Sequence, residues 1–162
     1  MIVSINIDNQ LVLQNLPSRI YGEQLCAVLS KFETATVQNE DKNCPSTVCI
    51  AFENEIWASW SSNQNQMMGR RVMMETIKFI ESMSYRLVVN FKVKAHSDCI
   101  FFERKSEQLT SPPTDLLMMS FLGDGKIAVI GDPFKSEHVG ATFEHLPSLS
   151  SLIDQVVSDS VV

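Results

Sequence analysis

No apolar run in the 162 residues approaches the roughly 18 to 20 that a helix needs to cross a bilayer. The N-terminus lacks the basic, apolar and small-residue succession of a secretory leader, and no Asn-x-Ser/Thr glycosylation acceptor occurs anywhere. Low-complexity segments are absent as well. Four cysteines are present, two of them inside strand-like runs, and they read as buried free thiols instead of a disulfide framework. These absences point to an intracellular chain, cytoplasmic or nuclear, with no membrane span.

The chemistry that is missing narrows function. There is no nucleophile elbow, no phosphate loop, no complete metal signature and no cofactor fingerprint. No cofactor is therefore expected, and an enzymatic role is not favoured.

What is present suits one domain spanning residues 1–162, since 44% hydrophobic residues are enough to build one core at ordinary density. In the stretch Tyr85 to Lys94, Tyr85, Leu87, Val89, Phe91 and Val93 alternate with Arg86, Val88, Asn90, Lys92 and Lys94. Successive strand side chains point to opposite faces, so this pattern predicts a half-buried strand. Strand-like runs follow at Cys99 to Lys105, Leu116 to Leu122 and Lys126 to Ile130, the last two separated by the turn-forming Gly123-Asp124-Gly125. Together they predict a four-stranded meander.

Upstream, projecting Met67 to Ser84 at about 100° per residue gathers Gly69, Val72, Met73, Thr76, Ile77, Ile80 and Met83 on one helix face. Val72, Ile77, Ile80, Leu87, Val89 and Phe91 are expected to share one core. Nearer the N-terminus, Ile2 to Asp8 and Leu11 to Leu16 read as a hairpin, followed after Pro17-Ser18 by a helix bearing Tyr21, Leu25, Val28, Leu29 and Phe32. Thr47 to Glu53 reads as a strand that Glu55 to Trp60 extends into a second hairpin, and Ser148 to Ser158 reads as a closing helix. Exposed loops are expected near 33–46 and 106–115. The order hairpin, helix, hairpin, helix suggests a duplicated topology without residue-level identity between the halves. The predicted fold class is α+β: a single-layer antiparallel sheet of hairpins and a four-stranded meander, packed by two main helices and a short C-terminal helix.

Candidate sites are few. Met67 and Met74 project onto the polar side of the central helix, with Trp57 and Trp60 just upstream. Methionine adapts to irregular surfaces and tryptophan is enriched in binding hot spots, so these four residues define an expected partner surface. Residues 66 to 105 carry eight basic and four acidic side chains, a local +4, which leaves −10 for the rest of a chain of net −6. Arg86, Lys92 and Lys94 within that stretch form an alternative nucleic-acid face. Cys44 and Cys49 at C-x4-C, with His96 and Cys99 at H-x2-C, are the one arrangement resembling a zinc set. Cys99 with His96 also meets the composition of a thiol hydrolase, without the flanking residues that would activate it. Ser160-Val161-Val162 has the Ser/Thr-x-apolar form of a tail that docks in a sheet-edge groove.

The reading that best accounts for these features is a non-catalytic protein-binding adaptor or complex subunit, acting on a protein partner or as a homodimer through an apolar Met/Trp surface. The alternative is a nucleic-acid-binding module using the basic strand face, and the second alternative is a small zinc or thiol enzyme.

Overall fold

The computed structural model describes residues 1–6, 8–38, 46–57, 62–93, 97–105, 116, 118–121 and 127–131, with backbone only at 91–93, 97–98, 119–121 and 127–128. Its strands are β1 (Ile2–Ile5), β2 (Gln10–Gln14), β3 (Ala35–Gln38), β4 (Val48–Phe52), β5 (Tyr85–Val93), β6 (Ser97–Arg104), β7 (Met118–Phe121) and β8 (Ile127–Ile130). Its helices are α1 (Arg19–Leu29) and α2 (Asn63–Ser82). The first six strands form one antiparallel sheet in the order β3-β4-β2-β1-β6-β5, and β7 pairs with β8 in a separate hairpin. The fold is α+β, as the sequence predicts.

Local chemistry explains each boundary. Ser18 caps α1 by accepting a hydrogen bond from the Ile20 amide, and Ser62 caps α2 by accepting one from Asn65. That cap starts α2 a turn earlier than the apolar stripe suggests. At its far end Ser84 takes φ of 64° and its amide donates to the Glu81 carbonyl, turning the chain straight into β5. Between β1 and β2 the left-handed residue is Asn9, at φ 59°. Its side-chain Nδ2 donates to the carbonyls of Phe52 and Asn54, which ties the first hairpin to the end of β4.

Register places Val3, Leu11, Leu13, Val48, Ile50, Phe52, Ile100 and Phe102 on one face of the sheet. Leu25 and Leu29 of α1 and Val72, Met73 and Ile80 of α2 complete one core against them. Chain order is also visible in the sheet. Two consecutive ββα units meet at the β2–β4 seam, so the order β3-β4-β2-β1 reads symmetrically about it. The expected duplication therefore holds at the level of topology.

Several expectations are corrected. The meander does not form: β6 pairs with β5 on one side and with β1 on the other, which leaves no edge for β7. The predicted loop near 33–46 contains β3, a four-residue edge strand whose Thr36 and Gln38 are exposed. Residues 53–57 do not continue as a strand. The predicted closing helix, the loop near 106–115 and the Gly123-Asp124-Gly125 turn lie outside the described residues.

The largest correction is in β5. A bulge between Leu87 and Val89 adds a residue relative to β6, so that Leu87 stands opposite Phe102 and Val89 opposite Phe101. One inserted residue reverses the facing of everything beyond it. Val72 and Ile80 are in the core as expected, and Ile77 packs partly against it. Leu87, Val88 and Val89, however, are 42%, 53% and 44% exposed. Leu11, by contrast, is fully buried. Leu11→Ala is therefore expected to cost about 2–5 kcal/mol, against less than about 1 kcal/mol for Leu87→Ala. Denaturant titration of the two variants measures the difference, and equal losses would place Leu87 in the core after all.

Candidate functional site

Two of the four residues of the expected Met/Trp surface, Trp57 and Met74, are drawn into the protein. Trp57 follows β4 and packs against the core, its ring edge-on to Phe52 at 5.9 Å and 79°. Its indole N–H is buried without a hydrogen-bond partner among the described residues. Met74 is only 4% exposed. Met67 is half-buried and Trp60 lies outside the described residues. Met74 stands about 200° around α2 from Val72, so helical projection assigns it to solvent. The structure buries it all the same, and α2 contacts the β7–β8 hairpin as well as α1 and β5. A helix packed on two flanks carries two apolar stripes.

Polar groups on α2 follow the same logic. The Arg70 guanidinium donates to the Gln66 carbonyl at 2.8 Å, and its burial lowers its pKa from the ordinary arginine value. Arg71 sits over the Phe32 ring at 4.4 Å, linking the chain beyond α1 to α2. Lys78 pairs with Glu75 at 2.8 Å along one side of the helix.

The basic strand face is divided. Arg86 pairs with Glu103 directly across the β5–β6 ladder, and Lys92 stands opposite Asp98 in register. The bulge lies between them and breaks the even spacing on which a shared face rests. Lys94 lies outside the described residues. By register, Arg86 and Lys92 thus fall on opposite faces of β5.

The zinc set is broken by the sheet itself. Register places Cys49, Val12, Ser4 and Cys99 in one row across β4, β2, β1 and β6. Three strand spacings separate the two thiols, about 14 Å, whereas one zinc ion would need both sulfurs at about 2.3 Å. Cys49 is buried beneath an amide chain in which Asn6 donates to Gln10 at 2.6 Å and Gln10 donates to Gln38 at 2.6 Å. Cys44 and His96 lie outside the described residues. Among the described residues no group of three His, Cys, Asp or Glu side chains is placed to hold a metal ion. The thiol of Cys26 is pushed up in pKa by burial, partly offset by hydrogen bonds with Ser30 and the Val37 backbone. That is the reverse of nucleophile activation, which lowers a thiol pKa.

What remains accessible is the edge of the sheet. β5 has β6 on one side and no strand on the other among the described residues. Its bulge presents Leu87, Val88 and Val89 to solvent as three successive large apolar residues. By register Val89 continues onto the face opposite α1 and α2, where Phe101 and Ile2 follow in its row. Along β1 to β4 the residues on that face are Ile2, Ser4, Gln10, Val12, Gln14, Thr36, Gln38, Cys49 and Ala51, none of them charged. Solvated sheet faces ordinarily carry charge. The sequence signal for this surface was the apolar triplet Leu87-Val88-Val89, which a strict alternation cannot bury on one side.

A family model for an uncharacterised domain matches residues 1–110. The chain belongs to this domain family. The family domain takes in the whole six-stranded sheet and both helices, since β6 ends at Arg104, and the β7–β8 hairpin lies beyond the matched residues. No curated protein and no solved structure matches the chain. No helix among the described residues is long and apolar enough to cross a membrane.

Proposed function

We propose that the protein is a non-catalytic, protein-binding subunit or adaptor that engages another protein chain through the free edge of β5. One observation carries this reading: Leu87, Val88 and Val89 are all exposed on an edge strand. Unpaired strand edges recruit further strands through main-chain hydrogen bonds, and natural proteins normally blunt them with charge. Here the centre of the edge is apolar and continues onto a face whose β1–β4 residues are uncharged. The Arg86–Glu103 pair at its margin is exposed on both sides and compensates its own charge, which supports a protein partner over a polyanion.

The test is differential capture from native lysate. The double variant Val88→Glu, Val89→Glu should lose the proteins that the native chain retains, whether these are other proteins or additional copies of itself. Ile20→Glu, which places a carboxylate at an apolar residue of α1 that is 54% exposed, should retain them. Capture unchanged in the double variant would move the contact elsewhere, and no capture by the native chain would remove the adaptor role.

A further inference from the structure

We propose that α1 closes the β3 end of the six-stranded sheet, so that strand addition is confined to the β5 end and each chain takes up a single partner strand. This rests on the reading of β5 as the contact edge and adds the direction and stoichiometry of the assembly. At the other end of the sheet, β3 reads Ala35-Thr36-Val37-Gln38 and pairs among the described residues with β4 alone. A strand of that kind, with neither charge nor proline, is a template for a further strand unless something covers it.

The phase of the ladder identifies which groups of β3 face outward. The Glu53 amide donates to the Thr34 carbonyl at 3.1 Å, continuing the β3–β4 register as a hydrogen-bonded pair. Such pairs recur at every second residue of an antiparallel ladder. Thr36 and Gln38 therefore bond across to Ala51 and Cys49, while Ala35 and Val37 turn their N–H and C=O groups away from β4. The far side of β4 keeps the same phase, since the Phe52 amide donates to the Asn9 carbonyl at 3.3 Å.

α1 engages one outward group on each of these two residues. Ser30, which caps the helix, shares its hydroxyl proton between the Cys26 carbonyl at 2.8 Å and the Ala35 carbonyl at 3.3 Å. The Val37 backbone bonds the Cys26 thiol in the sense that favours a thiolate, so its N–H is the donor. An incoming antiparallel strand has to exchange both an N–H and a C=O with each residue at which it docks. β3 offers two such residues, and each has one of its two groups already engaged. Cys26 is itself part of the core beside Leu25 and Leu29, so the helix that seals the core also closes this end. At the opposite end Leu87, Val88 and Val89 stay exposed.

Amide hydrogen exchange reads the closure directly. An outward amide on an edge strand has no ladder partner and exchanges fast unless a side chain holds it. In the native protein Val37 should exchange slower than a free peptide by roughly tenfold or more, the effect of one ordinary hydrogen bond. Cys26→Ala should remove that protection at Val37 relative to Gln38, whose amide bonds to β4, and Cys26→Ser, which restores an acceptor, should return it. Assembly supplies the second measurement. In sedimentation velocity the double variant Cys26→Ala, Ser30→Ala should gain concentration-dependent association over the native chain, and should keep that gain when Val88→Glu and Val89→Glu are added. Exchange at Val37 at the free-peptide rate in the native protein, equal protection in Cys26→Ala, or a double variant that associates no more than the native chain would each overturn the inference. The two readings fail separately, because Val37 and β5 lie at opposite ends of the sheet. Fast exchange at Val37 with lysate capture still lost in Val88→Glu, Val89→Glu removes the closure alone, whereas a protected Val37 with capture unchanged in that variant removes the β5 contact.

Discussion

Replacing Met74 by glutamate is expected to unfold the protein or to lower its stability by about 3–5 kcal/mol at neutral pH. Met74 is 4% exposed, so the new carboxylate has neither water nor a designed partner. Met74→Gln separates charge from shape. A carboxyl whose pKa is raised by burial destabilises the native state at pH values above its unfolded value and ceases to do so below it. Met74→Glu should therefore approach Met74→Gln in stability as pH falls below about 4.3. The double variant Met67→Glu, Met74→Glu should be no more stable than Met74→Glu alone. A folded variant with an unchanged thermal midpoint would return Met74 to the surface and reopen the Met/Trp contact.

Gly69→Ala should destabilise the protein by about 2–4 kcal/mol. A methyl group built there lies 2.3 Å from the Ile56 carbonyl oxygen and 3.0 Å from the Trp57 ring. The first of these neighbours is backbone and cannot rotate aside. Alanine would otherwise stabilise a helix interior by about 1 kcal/mol over glycine, so the two effects have opposite signs and the measured direction decides between them. A more stable Gly69→Ala would mean that α2 does not press on the chain after β4. The close approach at Gly69 is thus to the segment that leaves β4.

Elements with a one-sided periodic pattern were legible. Leu25 and Leu29 mark α1, Val72 and Ile80 mark α2, and Val48, Ile50 and Phe52 mark β4, because a single buried face writes one period into the chain. β3 was not, since a short edge strand buries little and Thr36 and Gln38 resemble loop residues. Met74 was misassigned for the opposite reason: a helix covered on two flanks no longer has one apolar side. Leu87 fits perfect alternation, and only pairing with β6 reveals the inserted residue. Strand order was equally hidden, because β6 joins β1 through contacts between residues about a hundred positions apart. The candidate site followed the fold in this respect. Its apolar triplet was visible, while its exposure depended on a bulge and an edge that arise only in the assembled sheet.

The pairing of β1 with β6 also sets a timetable for synthesis. Val3 lies opposite Ile100, and a ribosome adding about 5–20 residues per second makes the second roughly 5 to 20 s after the first. During that interval the nascent hairpin of β1 and β2 can recruit β4, but the other side of β1 has no native neighbour. A strand that ends in the interior of the sheet thus spends its first seconds as an open edge, and a chain interrupted before residue 97 would keep it so. Premature termination within α2 or β5 should accordingly yield products that depend on chaperones or aggregate, whereas interruption after Lys105 leaves the sheet able to close.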